Sequence, residues 1–191
     1  MLVVNRPGFP PGPLVDRVDF AEHADWLINQ LRPGDHLCGH SYGGVVSLMA
    51  ATRFSHLASL TVIEPPAFGL AAGNPHVDIL VSSLKDHWAT CERDPHTFLT
   101  GFYSRVAGRE ITLANPLPPD LEQGARVLMV ERGPWEAQPA LSAIAANGLP
   151  TLVVSGGWSP AFDAVCHALV SNLGSDFVVL AGSGHNAQSA P

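Results

Sequence analysis

The hydrophobic pattern changes period several times along the chain, and each change marks an element. Met1 to Val4 is a short apolar run closed by Pro7-Gly8-Phe9-Pro10-Pro11-Gly12-Pro13, which predicts a buried strand running into a stiff loop. From Asp19 the period becomes helical. Phe20, Ala24, Leu27, Ile28 and Leu31 recur on one face, Asp19 and Glu22 have capping-box spacing, and Pro33-Gly34 stops the segment. Asp35 to Cys38 predicts a strand, turned sharply by Gly39-His40-Ser41-Tyr42-Gly43-Gly44 into an apolar helix from Val45 to Thr52. A strand over Ser59 to Ile63 then ends at Glu64-Pro65-Pro66, because proline cannot donate to a ladder.

Residues from about Ala67 to Gly148 break this rhythm, with helical patterns at Val77 to Trp88 and Pro95 to Val106 between prolines 116, 118, 119, 134 and 139. A long insertion of this kind reads as a helical lid or cap. The alternation resumes with a strand at Thr151 to Ser155, a helix at Pro160 to Leu173, a strand at Phe177 to Leu180 and a turn from Ala181 to His185. Strands alternating with helices predict an α/β fold, with a mostly parallel sheet covered by helices on both faces. One domain over residues 1–191 is expected, with 67–148 inserted.

Composition narrows the partners. Ten Lys and Arg against seventeen Asp and Glu leave a net charge of −7, which argues against a nucleic-acid surface. The three cysteines are odd in number and widely spaced, which fits a reducing, cytosolic setting better than a disulfide framework. No apolar run reaches the ~18 residues a membrane span requires, and the N-terminus lacks signal-peptide order. The expected partner is a small-molecule substrate, with a homo-oligomer left open.

The chemistry is carried by Gly39-His40-Ser41-Tyr42-Gly43, a G-x-S-x-G pattern between a predicted strand and a predicted helix. That context makes it a nucleophile elbow: the tight turn projects Ser41 Oγ beyond the sheet edge, and the N-terminus of the following helix favours nearby negative charge. The alternative is a plain strand-to-helix turn. A hydroxyl needs a general base near neutral pH, and His185, following the last predicted strand in Ala181-Gly182-Ser183-Gly184-His185, is the candidate. Its competing reading is a surface histidine near a terminus. His40 adjoins Ser41, but neighbouring side chains at such a turn diverge, so it reads as a packing residue. No histidine cluster has metal-ligand spacing, and neither a metal nor a cofactor is implied.

With these motifs in place, Leu2 to Pro66 and Thr151 to His185 resemble the α/β-hydrolase superfamily. Asn5-Arg6-Pro7-Gly8-Phe9, Gly39-His40-Ser41-Tyr42-Gly43-Gly44 and Leu60-Thr61-Val62-Ile63-Glu64-Pro65 are similar to a group of bacterial α/β hydrolases. The resemblance implies an esterase, lipase or related hydrolase with a serine nucleophile and no cofactor. Many members carry the triad acid after the strand before the last, in a G-x-x-D stretch. Here Gly156-Gly157-Trp158-Ser159 puts a serine in that place. Asp163 is close by but falls in a predicted helix. Glu64, ending the strand after the nucleophile helix where some relatives place the acid, is preferred, against the reading that it merely caps a loop turned by two prolines.

The family pattern also implies what is missing. Full members carry a His-Gly loop after their third strand that supplies one oxyanion N–H; this sequence has no such motif, and the match implies a chain beginning at the fourth strand and ending at Pro191 before the usual closing helix. Three arrangements would answer the gap. Met1 to Val4 moves inward to pair with Asp35 to Cys38, a partner strand fills the space, or the chain is part of a longer product. Tyr42 N–H is the surviving oxyanion donor, and under the first arrangement Phe9 N–H would be the second. The expected function is therefore a serine hydrolase of ester or related acyl groups, with Ser41 as nucleophile, His185 as base and Glu64 as orienting acid. The rivals are a catalytically silent binding module of this fold, and cofactor-free haloperoxidase or perhydrolase chemistry through the same Ser and His.

Overall fold

In the computed structural model, residues 1–189 are described, so the expected chain end at Pro191 lies outside them. Four strands form one parallel sheet in the order β1 (His36–His40), β2 (Ser59–Ile63), β3 (Thr151–Ser155) and β4 (Asp176–Val179). Strand order follows chain order, and each connection is a crossover, since parallel neighbours can be joined in no shorter way.

The described helices are α1 (Phe20–Ile28), α2 (Tyr42–Ala51), α3 (Pro75–Thr90), α4 (Pro95–Ala107), α5 (Pro119–Met129), α6 (Leu141–Ala146) and α7 (Pro160–Leu173). α1 buries Phe20, Ala24 and Leu27 as its periodicity predicts, but ends at Ile28, before the Pro33-Gly34 stop. α2 is apolar on nearly every side, since it is clasped between α1 and the ends of β1 and β2. β1 runs from His36 to His40 rather than from Asp35 to Cys38, so the strand reaches the turn itself. Met1 to Val4 forms no strand; it is irregular and exposed. An apolar run becomes a strand only where a ladder takes its N–H and C=O groups, and no described ladder includes these residues.

By contacts the chain divides into two compact units, one of residues 1–19 with 79–133, the other of residues 20–78 with 134 onward. Residues 67–78 and 134–148, inside the segment expected as an insertion, thus group with the sheet. In the sheet unit, Leu60, Val62 and Val153 are fully buried on one face. On the other, Ile63 and Val154 pack with Ala187 from the C-terminal turn, while Cys38 of β1 stays exposed. The two faces are therefore covered unequally.

The other unit is helical. Asp94 caps α4 by accepting from Thr97 N at 2.8 Å, Pro95 opens the helix, and Gly108 closes it in the left-handed region. Phe98 is fully buried, with Trp88 at 5.0 Å and His87 at 4.6 Å between ring centroids. These aromatics form the core of their own unit. The N-terminal segment is tied in by Val18, whose N–H donates to Val130 O at 3.0 Å and whose carbonyl accepts from Arg132 N at 2.7 Å. Arg6 pairs with the buried Glu131 carboxylate at 3.2 Å. Burial pushes the Glu131 carboxyl up, against the opposing pull of Arg6.

The three thiols are all free, and their environments differ. Cys166 on α7 is buried and its pKa is pushed up to about 12, first by burial and then by the Glu64 and Asp163 carboxylates. Iodoacetamide applied to the native protein should therefore modify exposed Cys38 and leave Cys166 intact until denaturant is added; peptide mass mapping reads this directly. Modification of native Cys166 at a rate comparable to Cys38 would contradict the packing of α7 on β3.

Candidate active site

Three side chains from distant parts of the sequence meet at the carboxyl edge of the sheet. The parallel register pairs His40 with Ile63, and Ile63 with Val154. Ser41 and Glu64 are therefore the first residues past two adjacent strands that end level, and Ser155 closes the third. Ser41 N donates to Ile63 O at 2.9 Å and Glu64 N to Val154 O at 2.9 Å, carrying the ladder one step beyond the named strands.

Both residues leave the ladder with positive φ, 53° at Ser41 and 49° at Glu64, the only non-glycine residues among those described to do so. For an L-residue this costs on the order of 1–3 kcal/mol, which the surrounding structure must hold in place. Two glycines make the Ser41 turn sterically possible. A Cβ on Gly39 would collide with Ser47 Oγ and with the Gly43 backbone, and one on Gly44 would press on Pro65 and Gly39 O. Gly43 meets nothing comparable, so its glycine is not demanded by space. α2 then starts at Tyr42, which puts the Tyr42 N–H at the positive end of the helix directly beside Ser41.

His185 lies on a short 3-10 turn, Gly184–Ser189, after β4. Its Nε2 is 2.9 Å from Ser41 Oγ. Its Nδ1 is buried, makes no hydrogen bond, and faces Glu64 Oε2 at 3.5 Å. That separation is an ion-pair distance rather than a formed hydrogen bond, and bonds of this kind commonly tighten only when substrate is bound. Phe162 and Trp158 flank the imidazole, with ring centroids 5.0 and 6.0 Å from it.

Glu64 is fully buried and well supplied with donors. Gly156 N donates to Oε1 at 2.5 Å and Trp158 Nε1 to Oε2 at 2.8 Å. Asp163, the other candidate acid, instead accepts from Ser155 Oγ at 2.5 Å. Phe9 N–H, expected as a second oxyanion donor, is already engaged: it donates to Arg6 O at 3.1 Å within its own turn. Sequence reasoning missed three contributors, Gly156, Trp158 and His40. Gly156 and Trp158 occupy the stretch noted only for lacking an aspartate, and nothing in their spacing signals a carboxylate partner. His40, read as packing, has its Nε2 2.8 Å from His185 O.

The sequence profile of the alpha/beta hydrolase family matches residues 1–191. The chain belongs to the alpha/beta hydrolase family. Among solved structures, this alpha/beta hydrolase is similar to one from Sphaerobacter thermophilus, at 21% identity and a TM-score of 0.61 over 92% of this chain and 72% of that one. It is also similar to MenH from S. aureus, at 15% identity and a TM-score of 0.62 over 96% of this chain and 75% of that one. NosK from Streptomyces actuosus matches at 21% identity and a TM-score of 0.52, over 95% and 75%. At such identities the likeness is one of fold. A search of curated proteins found no match. Family membership supports hydrolase as the class of chemistry; no helix among the described residues is long and apolar enough to cross a membrane.

The electrostatics of Glu64 have a consequence for stability. Burial, the largest effect, would raise its carboxyl, but the nearby His185 imidazole together with the Gly156 N–H and Trp158 Nε1–H donors outweighs it and holds the group below its ordinary value of 4.5. The unfolded chain takes up this proton near 4.5, the folded chain only at lower pH. Stability from Glu64 is thus complete above that value and is lost as pH falls through the folded-state pKa. Urea unfolding between about pH 6 and pH 3 should show wild type losing more stability on acidification than Glu64→Gln; parallel pH slopes would contradict this account of the carboxylate.

Proposed function

We propose that this alpha/beta hydrolase is a cofactor-independent serine hydrolase of small ester or related acyl substrates. The observation that carries the reading is the 2.9 Å approach of His185 Nε2 to Ser41 Oγ, between residues 144 positions apart in sequence. No local structural need brings a hydroxyl at positive φ to an imidazole from the other end of the chain.

In this mechanism His185 Nε2 takes the Ser41 proton as Oγ bonds to the acyl carbon, giving a tetrahedral oxyanion. Tyr42 N–H, at the start of α2, donates to that oxyanion. Collapse expels the leaving group with the proton from His185, and water, deprotonated by the same imidazole, releases the acid and restores Oγ–H. Glu64 orients Nδ1–H and stabilises the imidazolium. Phe9 has no part in this scheme, since its N–H holds Arg6 O. Perhydrolysis would use the same residues, with hydrogen peroxide in place of water.

A fluorophosphonate probe should add one adduct to the wild type and none to Ser41→Ala, as read by intact mass. Failure to label folded wild type would favour a silent module of this fold. With p-nitrophenyl acetate, His185→Gln should lower kcat/KM by about 10⁴-fold, and Glu64→Gln by a comparable or somewhat smaller factor. Undiminished turnover in Glu64→Gln would remove that carboxylate from the triad.

A further inference from the structure

The His185 turn is short and flanked by conformationally free residues, since Gly182 and Gly184 both have positive φ, 82° and 62°. The imidazole is held at its far end by Ser41, yet a side-chain contact alone leaves the main chain beneath it free to swing. Beyond the Ser183 N–H bond to Leu180 O at 3.1 Å and the packing of Ala187 on Ile63 and Val154, two contacts act on the main chain at His185 and the glycine before it. One is steric: a Cβ on Gly156 would collide with Gly184 O, so the loop after β3 and the His185 turn touch main chain to main chain. The other is polar, and comes from His40. Its Nε2 lies 2.8 Å from the His185 carbonyl oxygen, and the two rings are 4.8 Å apart.

A carbonyl oxygen can only accept, so His40 Nε2 carries a proton and donates. His40 is itself the last residue of β1, in register with Ile63, and immediately precedes Ser41. We propose that His40 is a positioning residue: its Nε2–H anchors the main chain of His185 to the same strand end that presents Ser41, so that base and nucleophile are referenced to one rigid element. This deepens the serine-hydrolase reading and rests on it for its catalytic consequence. The ring environment suits the role. Burial lowers the basicity of His40, opposed by its bond to the His185 carbonyl and by Glu64. A neutral ring protonated on Nε2 is sufficient to donate, and it leaves no second cation beside His185 when that residue takes up the Ser41 proton.

The test uses His40→Leu, which removes the donor, and His40→Gln, which keeps a neutral N–H. Two quantities are read: the rate of fluorophosphonate labelling at Ser41, and amide hydrogen exchange of the peptide covering 182–189. His40→Leu should slow labelling by about 10- to 100-fold, the scale expected of a misplaced catalytic group, and speed exchange in that peptide without altering β2 or β3. His40→Gln should stay within a few-fold of wild type in both. Values for His40→Leu indistinguishable from wild type in labelling and exchange would overturn the proposal. So would a His40→Gln variant as impaired as His40→Leu, because the effect would then belong to ring packing. If wild type itself resists the probe, the serine-hydrolase reading fails separately, and the exchange data still decide the anchor. Nitrogen-15 NMR of wild type gives a check independent of any variant: His40 should be protonated on Nε2 at neutral pH, and a ring protonated only on Nδ1 would refute the anchor.

Discussion

Ser41 Oγ and His185 Nε2 meet because strands of one parallel sheet end level, and most of the remaining architecture serves that alignment. The pairing of His40 with Ile63 and of Ile63 with Val154 puts Ser41 and Glu64 side by side, one step past their strands. In a parallel ladder the register is set by which faces are buried. A slip of β2 by one residue would turn Leu60 and Val62 to the opposite face and carry Glu64 away from its place beside Ser41. The hydrophobic core therefore holds the geometry of the polar site.

Around that edge, local strain and close approach are concentrated. Two non-glycine residues adopt positive φ where their side chains must point across the sheet end, and glycines stand where backbone meets backbone, at Gly39 beneath the turn and at Gly156 against the His185 segment. The loop after β3 is instructive. In relatives with a G-x-x-D stretch it delivers the acid; here Gly156 N–H and Trp158 Nε1–H face a carboxylate that arrives from β2. A buried carboxylate without donors would protonate, and these two bonds, with the imidazole nearby, are what keep Glu64 charged at neutral pH.

In the helical unit the large aromatics are core: Trp88 stacks edge-on against Phe98 and Phe102, at 5.0 and 5.7 Å. An aromatic ring with two ring neighbours is spending its surface on its own core. The apolar run Met1 to Val4, expected as a buried strand, is instead irregular and exposed, because hydrophobicity cannot supply a hydrogen-bonding partner.

The sequence by itself determined the alternation of strands and helices, the elbow at Gly39 to Gly43, and the candidacy of Ser41, His185 and Glu64. These are local properties: period, turn chemistry, and the residue that follows each apolar run. Tertiary structure alone decided that Asp163 faces Ser155, that Phe9 N–H is held by Arg6 O, and that His40 bonds the main chain of His185. It also decided which donors surround Glu64. The first two contacts are local, eight and three positions apart, and were settled by side-chain direction and by turn geometry; the bond of His40 to His185 spans 145 positions and the donors to Glu64 come from 92 and 94 positions away, and no periodicity or spacing in a single sequence encodes such long-range contacts. They follow from the register of the sheet, which the chain acquires only when its buried face is closed.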